Sequence, residues 1–131
     1  MSDEVSQHRF NQGLLLAARA AGAPDCFVAE GPKWDDAFEA VCNHLKGDQP
    51  LIFSWWRFVR RDPVFSYYPA ASELLLQGEH DLLLGLLSPG YSRAVFLTKP
   101  EAAAKELEEN FPHLEWFKAV GAEFAKALTA V

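Results

Sequence analysis

Between 5 and 21 good helix formers dominate the chain, and Phe10, Leu14 and Ala17 or Ala18 fall on one stripe that Leu15 and Leu16 widen. This spacing predicts a helix, which Gly22 and Pro24 then stop. A second helical pattern begins at Pro32. Trp34, Phe38, Val41, Cys42 and Leu45 follow the i, i+4, i+7, i+8, i+11 template, Asp35 and Asp36 stand near the positive helix end, and Gly47 lies past the last turn.

From 51 to 59 the pattern changes: Ile, Phe, Trp and Val crowd together with little alternation, as in a strand covered on both faces. A central strand is expected there. Asp62 before Pro63 resists the α region, so 60–63 is expected to turn and 64–68 to form a second extended piece. The segment 70–77 reads as a short helix closed by Gly78. The runs 82–87 and 93–97, joined across Ser88, Pro89 and Gly90, read as a hairpin, although Leu-rich runs of this length are not separated from helix by periodicity.

Thr98, Pro100 and Glu101 have the form of a capping box opening a helix that runs to about 110. Beyond Pro112, one last helix puts Leu114, Phe117, Val120, Gly121, Phe124 and Leu128 on a single face. Helices and strands are segregated more than strictly alternating. The expected class is therefore α+β, with a small central mostly antiparallel sheet packed by N-terminal and C-terminal helix pairs.

A length of 131 residues suits one domain, 1–131, and with half of the residues hydrophobic the chain can bury enough apolar surface to offset the entropy of ordering. The net charge of −6 argues against generic nucleic-acid binding, which draws its affinity from Lys and Arg on phosphates, and favours a cationic partner. The first residues carry Asp3 and Glu4 and no basic lead into an apolar segment, and runs such as 82–87 fall far short of the ~20 residues that span a bilayer. The expectation is a cytoplasmic protein away from membranes.

Chemistry is sparse along the chain. Cys26 and Cys42 make no disulfide framework, and neither they nor the four histidines have zinc-site spacing, so no metal or cofactor is implied. Cys42 lies on the apolar stripe of its helix and reads as a packed thiol. Cys26, in a breaker-rich loop, has the better position for reactivity, but adjacent Asp25 disfavours the thiolate. The segment 88–93 has the parts of an anion-binding loop without a P-loop's spaced glycines, and reads as a turn. Glycine-rich nucleotide fingerprints, His-Glu-x-x-His and Gly-x-Ser-x-Gly are all absent.

Two constellations remain. Asp35, Asp36 and Glu39 form an acidic cluster on the second helix, either a solvated face or a docking surface for a basic protein. Trp55, Trp56, Arg57, Phe58, Val59, Arg60 and Arg61 combine bulky aromatics with cations, as single-stranded nucleic-acid binders do. In an acidic chain they fit better as core tryptophans with Arg60 and Arg61 emerging at the strand end. The leading expectation is a non-catalytic protein-binding domain, an inhibitor, immunity-type or chaperone-like partner of a basic protein. The alternative is a small-ligand domain or small enzyme. Its pocket would be walled by Trp55, Trp56, Tyr67 and Tyr68, with Arg57, Arg60 or Arg61 anchoring an anionic group. A homo-oligomer through the Phe117/Phe124 stripe is not separable by sequence from ordinary core packing.

Overall fold

The computed structural model describes residues 5–45, 55, 59–87, 90 and 92–131. Among them α1 (Gln7–Ala20), β1 (Cys26–Val28), α2 (Gly31–His44), α3 (Pro69–His80), β2 (Leu84–Leu87), β3 (Arg93–Phe96), α4 (Pro100–Asn110) and α5 (Leu114–Ala127) follow in order. The fold is α+β, with helices flanking a small antiparallel sheet.

Helix α1 is the centre of the molecule. Ser6 caps it by accepting the Arg9 N–H at 3.2 Å. Phe10, Leu14, Leu15, Leu16, Ala17 and Ala18 are all buried, a stripe far wider than one face, because α3, α4 and α5 pack around the helix. Close approach to α5 rests on small residues: a Cβ on Gly121 would sit 2.4 Å from that of Ala17. The α5 stripe of Phe117, Val120 and Phe124 is fully buried within the chain, so it is core and not an oligomer face.

The helix ends as its Gly predicts. Ala23 N–H returns to Ala18 O at 3.1 Å and Gly22 N–H to Arg19 O at 3.3 Å, with Gly22 at φ +97°, the left-handed closure that a side chain resists. Buried Arg19 then fastens this end to the sheet. It pairs with Asp25, donates from Nε to Thr98 O at 2.8 Å and lies 5.4 Å above the Phe96 ring.

Strand β3 is the middle of the sheet, pairing antiparallel with β1 on one side and β2 on the other. Phe27, Leu84, Ala94 and Phe96 face the helices, and Phe27 stacks on Trp34 at 5.7 Å. The outer edge of β1 is closed by the C-terminal residues, through Val28 N–H to Thr129 O and Val131 N–H to Cys26 O.

Several expectations change. The third strand is β1, from a segment read as a loop, so Cys26 stands in a strand. The strand expected over 51–59 falls mostly outside the described residues, and Trp55 and Val59, which are described, are not in a strand. The piece 64–68 is not extended: 63–65 is a turn, imposed by the Asp62 side chain. Gly78 does not close α3. It is buried inside the helix, where a Cβ would meet Leu84 and Leu15 side chains at 2.7 and 2.8 Å. The capping box at Thr98 does not form, since the N-cap is Lys99 without a side-chain cap bond. The hairpin of β2 and β3 and the last two helices stand as expected.

Candidate functional site

The two residue sets singled out by sequence meet on one surface. Pro32 stands in the first turn of α2, where its missing N–H costs nothing, and the helix buries Trp34, Ala37, Phe38 and Val41 and leaves Asp35, Asp36 and Glu39 toward the 61–68 segment. Arg61 Nη1 donates to Glu39 Oε1 at 2.9 Å, and its Nη2 lies 3.5 Å from Asp36 Oδ1. Tyr68 donates its N–H to Asp35 Oδ1 at 2.8 Å and its hydroxyl to Glu39 Oε1 at 3.1 Å. All three acids therefore have partners inside the chain.

Tyr68 is buried, with its ring 5.3 Å from that of Phe38. Burial, then the neighbouring Cys42 thiol and the Glu39 carboxylate, push its hydroxyl above the ordinary tyrosine value of about 10.

The segment between Arg61 and Tyr68 is a closed loop. Asp62 Oδ1 accepts from Val64 and Phe65 N–H at 2.8 and 2.7 Å. Asp62 N–H donates to Tyr67 O at 2.6 Å, and Ser66 N–H donates to Asp62 O at 2.9 Å. Arg61 Nε donates to Ser66 O at 3.0 Å, spanning the loop from inside, while Ser66 itself takes φ +58°. At the tip Val64 and Phe65 are each 77% exposed, and Tyr67 is 38% exposed. Sequence reasoning missed this tip. The signal was Asp62 before Pro63, whose side chain turns the next backbone instead of letting it extend.

The Trp/Arg set divides. Trp56 and Arg57 lie outside the described residues. Trp55 is half-buried, its ring 5.0 Å from that of Phe10 in an edge-on contact and its Nε1 donating to Val5 O at 2.9 Å. It thus packs on the core at one side and faces a surface groove at the other. That groove, of about 310 Å³, is lined by Gln7, Trp55, Val59, Arg60, Pro69, Ala70 and Glu73. Arg60 is exposed and, among the described residues, makes no ion pair; its Nη1 donates to Val59 O at 2.9 Å.

A polar cluster that sequence did not reveal sits at the far end of α3. Asp81 is 3.1 Å from His8 Nε2 and 3.2 Å from His80 Nδ1, and it accepts from Gln12 at 3.1 Å. Burial alone raises its carboxyl pKa. Hydrogen bonds from His80 and Gln12 and the charges of the two imidazoles outweigh that and hold it below the ordinary value. Among the described residues neither ring bonds a Ser, Thr or Cys nucleophile, and no group of His, Cys, Asp or Glu is placed to hold a metal ion. No helix of the described residues is long and apolar enough to cross a membrane.

Compared with protein-family models, with curated proteins and with solved structures, the chain gives no match.

Proposed function

We propose that the chain is a non-catalytic protein-binding domain that docks a basic partner through the 62–67 loop and the adjoining polar face of α2. The observation that carries this reading is the exposure of Val64 and Phe65, 77% each, on a loop already held by backbone and side-chain hydrogen bonds. An ordered apolar tip loses little conformational entropy on binding, and it has the composition of an interface centre.

The acids change role in this reading. Asp35 and Glu39 hold the loop in place, whereas Asp36, whose side chain is 64% exposed, keeps most of its surface for a cation on the partner. The net charge of −6 adds long-range steering toward a basic surface. The matching partner presents an apolar pocket ringed by Lys or Arg, which suits an inhibitor, an immunity-type protein or a chaperone-like protein equally.

The test uses the tagged chain as bait in extract of its native cells at low and high salt, beside the Phe65→Ser and Val64→Ser variants. Both positions are exposed, so circular dichroism should be unchanged. A stoichiometric basic protein held at low salt, and bound at least tenfold more weakly by Phe65→Ser, is the expected result. No stoichiometric partner, or one indifferent to both variants, overturns the proposal.

A further inference from the structure

The groove between α1, Trp55 and the start of α3 has a chemistry that the docking loop does not use. Its floor is apolar, formed by Trp55, Val59, Pro69 and Ala70, and its two charged members, Arg60 and Glu73, are of opposite sign. Arg60 has no carboxylate partner among the described residues, and its hydrogen bond to Val59 O there uses one of its five N–H donors. Glu73 is oriented by Gln7, which donates to Oε2 at 3.0 Å, and its Oε1 has no protein partner among the described residues.

A purely anionic ligand would gain from Arg60 and be repelled by Glu73. A purely cationic one would meet the reverse. Only a molecule carrying both charges, with an apolar body between groove floor and solvent, satisfies all three features together. The volume of about 310 Å³ stands at the small end of ligand pockets, which excludes a cofactor-sized occupant.

We infer that this groove binds a free amino acid with an apolar or aromatic side chain, its carboxylate on Arg60, its ammonium on Glu73 and its side chain against Trp55. Arg60 supplies a planar fork that matches a carboxylate with two parallel hydrogen bonds. Trp55 supplies a rigid face, braced from behind by Phe10 and by its bond to Val5, so the wall exists before the ligand arrives. The groove shares no lining residue with the 62–67 loop, although it adjoins both ends of it, and either proposal can fail without the other.

Calorimetric titration and thermal shift of the full chain with L-phenylalanine and L-leucine test it, beside N-acetyl-L-phenylalanine, which lacks the ammonium, and L-phenylalanine amide, which lacks the carboxylate. The expected result is saturable binding of at least one free amino acid with a matching rise in melting temperature. Each blocked derivative should bind at least tenfold more weakly. Arg60 and Glu73 are exposed, so Arg60→Gln and Glu73→Gln should keep the fold, as circular dichroism checks. Each should weaken the free amino acid at least tenfold, and Arg60→Gln should leave the amide unaffected. Absence of binding at about 10 mM ligand, ten times a millimolar Kd, overturns the site. So does equal binding of the blocked derivatives, or indifference to both variants.

Discussion

Arg61 and Glu39 meet at 2.9 Å across the gap between α2 and the 61–68 segment, and the same carboxylate oxygen also accepts the Tyr68 hydroxyl. One atom of α2 thus fixes both ends of the exposed loop. The acidic cluster that sequence offers as a docking surface acts in the fold as the clamp for the apolar tip.

Replacing Arg61 tests the clamp. The pair is partly exposed, so Arg61→Ala should lower global stability only slightly. The loop loses its bonds to Glu39, Asp36 and Ser66 together, and its local opening should become several-fold more frequent. Chymotrypsin cleavage at Phe65 and Tyr67 under native conditions reads this. Unchanged cleavage beside a large drop in melting temperature would place the role of Arg61 in the core instead.

Tyr68 predicts an alkaline limit to stability. Its folded pKa is raised above the ordinary 10, so above that pH the unfolded chain gives up a phenolic proton that the folded chain retains. The unfolded state then binds fewer protons and stability falls as pH rises. Denaturant midpoints measured from pH 8 to 11 should decline at the upper end, and Tyr68→Phe should flatten that decline while costing about 1 kcal/mol at neutral pH through the lost hydroxyl bond.

How much of this was legible follows from what each signal depends on. Helical stripes are local, so α1, α2 and α5 are found near their true bounds, and the α+β class follows from element order. Gly78 misleads because a buried glycine and a capping glycine look alike in one dimension. What distinguishes them is that the side chains of Leu84 and Leu15 fill the space a Cβ would need. Strand β1 is three residues long, too short for a period, and it exists because β3 and the C-terminal residues offer it partners. The members of the site were named one by one in the sequence, but the ties of Asp35, Asp36 and Glu39 to Arg61 and Tyr68 are tertiary, spanning 22 to 33 residues. Pattern alone cannot pair them.

Asp81 predicts the opposite pH behaviour from Tyr68. Its folded pKa lies below the ordinary carboxylate value, so the stabilisation is present above the unfolded pKa near 4 and is lost as pH falls through the folded one. Asp81→Asn should remove part of the acid dependence of unfolding below pH 4. Denaturant midpoints of parent and variant, compared from about pH 5 down to about pH 2, check this.

Gly121→Ala tests the helix contact at the centre. The added methyl would stand 2.4 Å from Ala17 Cβ and 2.7 Å from its carbonyl carbon, and backbone cannot swing aside as a side chain does. Although alanine favours helix by nearly 1 kcal/mol, overpacking costs about 1–3 kcal/mol, and the net effect should be destabilising. A variant as stable as the parent would mean that α1 and α5 can separate without loss.

The end of α3 repeats the closure of α1 with an unfavourable residue. Leu83 N–H returns to Gly78 O at 2.9 Å and Leu82 N–H to Glu79 O at 3.1 Å, the pattern made at Gly22 by its own neighbours, but here Leu82 occupies the left-handed position at φ +60°. A Cβ in that conformation costs roughly 1–2 kcal/mol, and Leu82 is 73% exposed, so little burial offsets the strain. Leu82→Gly relieves it, while the greater freedom of glycine in the unfolded chain takes back part of the gain. The net expectation is stabilisation by up to about 1 kcal/mol, a rise of a few degrees in melting temperature. Leu82→Asn should gain a smaller amount and Leu82→Val should lose, because the order Gly, Asn, Leu, Val is that of tolerance for positive φ. A melting series in which Val matches or exceeds Gly would show that Leu82 is held there by packing rather than tolerated despite its backbone.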